Sequence, residues 1–110
     1  MKTLVFFAFI FLLQSFSYSQ KRKAFKLGSE LKEISGVESI NDSLLIAHND
    51  GGNEPLLYLL NQTGEIRKTC RIRNAKNTDW EDITKDNYGN KYIADIGNNC
   101  NKRKKEQIIK

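Results

Sequence analysis

Asp79-Trp80-Glu81-Asp82-Ile83 and, after a short polar stretch, Gly89-Asn90-Lys91-Tyr92-Ile93-Ala94-Asp95-Ile96-Gly97-Asn98-Asn99 decide the fold of this chain. Apolar and polar residues alternate in both segments, and Gly and Asn punctuate the ends. That combination is the signature of two β-strands joined by a tight turn. The first strand carries several acidic groups, and the second ends in an Asp-x-Gly-Asn-Asn corner.

Working outward, the residues before this hairpin read as four more strands. Residues 34–40 alternate on both sides of Gly36, which marks a bulge or a close approach of another backbone. Asn41-Asp42 makes a turn, and residues 43–48 form an apolar strand. The dense turn signal Asn49-Asp50-Gly51-Gly52-Asn53-Glu54-Pro55 follows. Leu56-Leu57-Tyr58-Leu59-Leu60 is apolar on both faces, as expected of a strand covered on both sides. Asn61-Gln62-Thr63-Gly64 closes another hairpin. Residues 65–73 then alternate, with Ile66, Cys70 and Ile72 on one face and Arg67, Thr69, Arg71 and Arg73 on the other. Charges along one face protect an exposed outer strand. Residues 34–73 are thus a four-strand meander ending on its polar strand, which is how one propeller blade runs from axis to rim. The pattern restarts at residue 79, and residues 107–109 begin a third strand. Ile46-Ala47 and Ile93-Ala94 align at a spacing of 47 residues, near the roughly 40–50-residue period of propeller blades.

The segment 80–99, with its short inner strand, Gly-Asn turn and aromatic–aliphatic–Ala–Asp strand, resembles an NHL-type repeat. The pair formed by residues 79–83 and 94–99 is similar, more narrowly, to secreted bacterial NHL-like propeller proteins. The resemblance covers residues 31–110. It implies an all-β fold of antiparallel four-strand meander blades, with residues 31–73 as a first blade and residues 74–110 as a partial, truncated second. A closed propeller needs about four to eight blades. The expectation is therefore an N-terminal fragment whose missing blades are required for closure.

Residues 1–19 read as a secretory signal peptide. Lys2 supplies a positive start, residues 4–13 are an apolar run, and Ser17-Tyr18-Ser19 places small residues before a cleavage point. The run falls well short of the ~20 apolar residues of a membrane-spanning helix. The expected location is secreted or periplasmic, with no transmembrane segment after cleavage and a basic lead-in over residues 20–30.

The net charge of +5 does not make this a nucleic-acid protein. Lys21, Arg22, Lys23 and Lys26 cluster before the first strand, and Lys102, Arg103, Lys104, Lys105 and Lys110 crowd the other end. Residues 27–101 hold eight basic and twelve acidic residues. A nucleic-acid surface spreads its cations over one folded face, whereas terminal runs read as solvated arms. Cys70 and Cys100 are the only cysteines, so a disulfide stays open. With His48 the only histidine, structural zinc is disfavoured.

The acidic strand is the first candidate site. Asp79, Glu81 and Asp82 lie at its head, and Asp95 and Asn98 lie at the end of its partner, where carboxylate and amide oxygens suit a hard cation such as calcium. The lactonase- and esterase-type propellers that these repeats resemble hold a channel metal with Glu, Asn and Asp ligands. The resemblance implies Glu81 first, then Asp95, Asp50 and Asn98. The competing reading is that Asp95, Asn98 and Asn99 cap their own corner, and Trp80 reads as packing between blades. His48, beside Asp50 in the corresponding corner, is the candidate general acid or base, but no Ser or Cys nucleophile motif accompanies it. The sequons at Asn41 and Asn61 fall in hairpin turns, where Asn is expected anyway. Two functions follow as expectations: a binding or scaffold propeller with a protein or glycan partner, or a calcium-dependent hydrolase with its site at the channel mouth.

Overall fold

A computed structural model describes residues 24–110; the expected signal peptide and residues 20–23 of the lead-in lie outside the described residues. A 3-10 turn (Ser29–Leu31) precedes seven strands: β1 (Ile34–Asn41), β2 (Leu44–Asn49), β3 (Leu56–Asn61), β4 (Ile66–Arg71), β5 (Trp80–Lys85), β6 (Lys91–Asp95) and β7 (Gln107–Ile109). They form an antiparallel sheet in the order β1-β2-β3-β4 and a second in the order β5-β6-β7. The protein is all-β, and its two sheets are open rather than closed into a barrel. Among the described residues no helix is long and apolar enough to cross a membrane.

The turns form where short polar side chains replace ladder bonds. Asn41 Oδ1 accepts from the backbone N–H of Ser43 and of Leu44, and Asn61 Oδ1 accepts from Thr63 and Glu65. Asp86 Oδ1 accepts from Tyr88 and Asn90 in the β5–β6 turn.

Burial follows strand period. In β3, Leu57 and Leu59 face one core, while Leu56, Tyr58 and Leu60 face another, so both faces of this strand are indeed covered. The first core lies between the sheets. Ile46 and Leu57 of the first sheet meet Trp80, Ile83 and Ile93 of the second, with Cys70 and Ile72 at its margin. The second core covers the opposite face of the first sheet. There Leu31 of the 3-10 turn and the neighbouring Leu27 pack onto Ala47, Tyr58 and Leu60. Part of the basic lead-in is therefore a cap on the sheet.

Two bulges alter faces that simple alternation assigns. Leu59 pairs with Lys68 but Leu60 with Ile66, which leaves Arg67 as the extra residue. Ile66 consequently joins the Leu60 face and not the face of Cys70 and Ile72, because one inserted residue reverses every side chain beyond it.

The second bulge recurs. Ile34 pairs with Asn49, Gly36 with His48 and Val37 with Ala47; Trp80 pairs with Asp95, Asp82 with Ala94 and Ile83 with Ile93. In both hairpins one residue is skipped at the same place, Ser35 in the first and Glu81 in the second. Superimposing these registers makes the counterpart of Ala47 not Ala94 but Ile93, so the hairpins repeat at a spacing of 46 and not 47. The one-residue difference decides which face is which. With it, the face of the second sheet that enters the intersheet core is the counterpart of the outward, capped face of the first. The sheets are therefore stacked in the same sense.

Candidate functional site

The ends of β2 and β6 and the start of β5 converge on one edge of the two-sheet stack. Asn77 builds this junction. Its Nδ2 donates to the carbonyls of Asn49 and Asp50 at 2.9 Å each, and its Oδ1 accepts from Trp80 N–H at 3.1 Å. The residue is buried and locks the exit of β2 to the entrance of β5. Asp50 N–H donates to Glu33 O at 2.8 Å, fixing the same corner to the strand before it.

The result is a group of three carboxylates. Asp50 arrives from the first sheet, and Asp79 and Glu81 from the second, with one oxygen of each within 4.8 Å of the others. Glu81 is the residue skipped by the bulge, and a bulge is a means of re-aiming a side chain out of its sheet. Burial raises the Asp79 carboxyl above its ordinary range, reinforced by hydrogen bonding to and repulsion from Asp50 and partly offset by the Arg103 cation. Burial likewise raises Glu81, with the charges of Asp79 and Asp50 adding to it. Gly97 closes the group. A Cβ at this position would collide with the Asp79 carboxylate and with Glu81 Oε1, so only glycine lets the β6 corner come this near.

Of the four residues expected to ligate a metal, Glu81 and Asp50 are brought together, and Asp79 stands between them as the third. Asp95 and Asn98 are used elsewhere. Asp95 is fully buried: its Oδ1 accepts from Asp79 N–H and Arg103 Nη1, both at 2.9 Å, and its Oδ2 from Gln107 Nε2 at 2.9 Å. Burial opposes its ionisation, yet the Arg103 and Gln107 hydrogen bonds hold this carboxyl below its usual range. Asn98 Oδ1 accepts from Arg103 N–H at 3.0 Å and shapes the loop. Asp82 points away with the outward face of the second sheet, alongside Tyr92 and Ile108. Arg103 does not belong to a solvated arm. Its guanidinium is nearly buried, bridges Asp95 and also donates to Gly97 O at 3.3 Å. The basic run reads as an arm in sequence because the partner that draws Arg103 inward lies on another strand.

A cleft of about 440 Å³ opens over the group. Asp50 and Asp79 line one part of it, and Asn98, Cys100, Lys102 and Arg103 another. Cys100 is exposed here and Cys70 sits at the core margin, so the two thiols are not bridged.

His48 lies outside the carboxylate group. It is fully buried, edge-on to Trp80 with ring centroids 5.5 Å apart. Nδ1 is 3.0 Å from Asn49 O and 3.3 Å from Ser35 Oγ, whose hydroxyl donates to Trp80 O at 2.7 Å. The Asn49 carbonyl requires Nδ1 to carry the proton, which leaves Nε2 as a buried acceptor without a partner. The imidazole lies across β1 over Gly36, where a Cβ would collide with Nε2. The expected close approach at Gly36 is thus made by a side chain, together with the bulge. Asp50, Asp79 and Glu81 form a donor set of hard oxygens of the type calcium takes, in a cradle that any Cβ at residue 97 would fill. Comparison with known protein families, with characterised proteins and with solved structures returned no match for this chain.

Proposed function

We propose that this chain is a segment of an exported, propeller-type binding module whose polar mouth presents a divalent-cation site. The reading rests on one observation above the rest: three carboxylates contributed by two successive sheets meet beneath a cleft, at the edge where both inner hairpins begin and end. Propeller architecture fits two meander-ordered sheets with the same bulge and stacked in the same sense. Export rests on residues 1–19 of the sequence. Asp50, Asp79 and Glu81 would hold the cation. A bound divalent ion supplies positive charge that neutralises their mutual repulsion and leaves open positions for oxygen atoms of a protein or glycan partner.

Binding is preferred to hydrolysis because the pair that could serve as nucleophile and base, Ser35 and His48, is packed between the sheets and engaged with Trp80 O and Asn49 O. Neither is presented to the cleft, whose lining includes neither residue. The test is calcium titration by calorimetry on the intact chain and on Glu81→Gln. Saturable binding in the parent that falls at least tenfold in the variant supports the site. Equal heats in both, with both chains folded, would remove it.

A further inference from the structure

The two outward faces of the stack are, position for position, counterparts of the two faces already packed together inside it. The shared register makes Ile34 the counterpart of Trp80, and Val37 that of Ile83. Trp80 and Ile83 are 0% and 3% exposed in the intersheet core, whereas Ile34 and Val37 are 37% and 53% exposed on the first sheet. The cap formed by Leu27 and Leu31 covers Ala47, Tyr58 and Leu60 but leaves this β1 portion open. At the other end, Tyr92 is the counterpart of Ile46, which is buried between the sheets. Ile108 corresponds to Leu57 through the β6–β7 pairing, yet is 62% exposed, beside a small hollow it shares with Tyr92 and Ala94. One end thus offers an uncovered copy of the second sheet's packing face, and the other an uncovered copy of the first sheet's.

We infer that these faces pack on each other between copies of this chain, head to tail, repeating across the molecular boundary the contact already made within it. The occupant of the Tyr92–Ile108 face is the β1 face of a second copy. A contact between two different faces propagates, and it ends only if the rotation per copy closes a ring. This inference rests on the propeller reading for the closed form: a ring of about four to eight sheets corresponds to roughly two to four copies. Leu27 and Leu31 confine the contact to the β1 side of the sheet, so association is expected to depend on concentration.

The test uses the intact chain with Val37→Lys or Ile108→Lys. Both positions are exposed, so both variants are expected to fold, which circular dichroism checks. In sedimentation the parent chain is expected to move from monomer to a species of two to four copies as concentration rises, and each variant alone to stay monomeric. Mixed, the variants are expected to form a one-to-one dimer and nothing larger, because each supplies the face that the other lacks. A parent chain that stays monomeric at every concentration overturns the inference, as does a variant that still assembles or a mixture that does not. Open filaments in the parent, seen by electron microscopy, would keep the head-to-tail contact but end the propeller reading. A monomeric parent ends the contact and leaves the propeller reading standing.

Discussion

At the scale of single residues, Arg103 shows how far chemistry can depart from local context. It sits in a run with Lys102, Lys104 and Lys105, yet only Arg103 is drawn into the fold, by a carboxylate buried at the end of β6. A buried ion pair gives little net stability, but removing one partner strands the other charge. Arg103→Ala is expected to cost about 3 kcal/mol in denaturant unfolding, because Asp95 keeps only Gln107 and Asp79 N–H as donors. A cost within the ordinary range for surface substitutions, about 0.5 kcal/mol, would show the pair to be incidental. Asn77 teaches the same lesson. A single amide joins three backbone groups from two sheets, and nothing in its sequence neighbourhood sets it apart from the other asparagines of the chain.

At the scale of elements, the β5–β6 hairpin was legible because alternation and a Gly-Asn turn are local signals. Its anchor was not. Asp86 accepts four hydrogen bonds, from Tyr88 and Asn90 N–H, from Asn90 Nδ2 at 2.7 Å and from the Tyr92 hydroxyl at 2.9 Å. The Asn90 amide, then the Tyr92 hydroxyl and the two backbone donors lower its carboxyl from 3.8 to about 2. A depressed carboxyl stabilises the folded state above its unfolded value, and that contribution disappears as pH falls through the folded value. The hairpin is therefore expected to hold its full Asp86 contribution above about pH 4 and to lose it toward pH 2, with no such acid step in Asp86→Ala. Carbon-detected titration of the Asp86 carboxyl checks this, and a midpoint near 3.8 would refute it. The faces of strands were less legible than their positions. Alternation places Ile66 with Cys70, but the bulge at Arg67 reverses it, and bulges leave no reliable mark in one sequence.

At the scale of the whole molecule, the carboxylate group joins the two sheets, since Asp50 belongs to one and Asp79 and Glu81 to the other. A cation held by all three is expected to stabilise both sheets together, raising the melting midpoint in saturating calcium by several degrees (about 4–8 °C per kcal/mol for a domain of this size). The rise should vanish in Asp50→Asn, which removes the first sheet's only share in the group. An unchanged midpoint in calcium for the parent chain would sever this link between the site and the fold. What the sequence by itself determined is the set of strands, their meander order, the turns and the neighbourhood of the acidic residues, all governed by period, propensity and turn chemistry within a few residues. Only the tertiary structure decided that Asp79 rather than Asp95 or Asn98 joins Asp50 and Glu81, that the hairpins repeat at 46, and that Arg103 turns inward. Each of these depends on a bulge or on a partner distant in the chain. A one-residue slip reverses a strand's faces, and a buried charge takes whichever opposite charge the packing brings near.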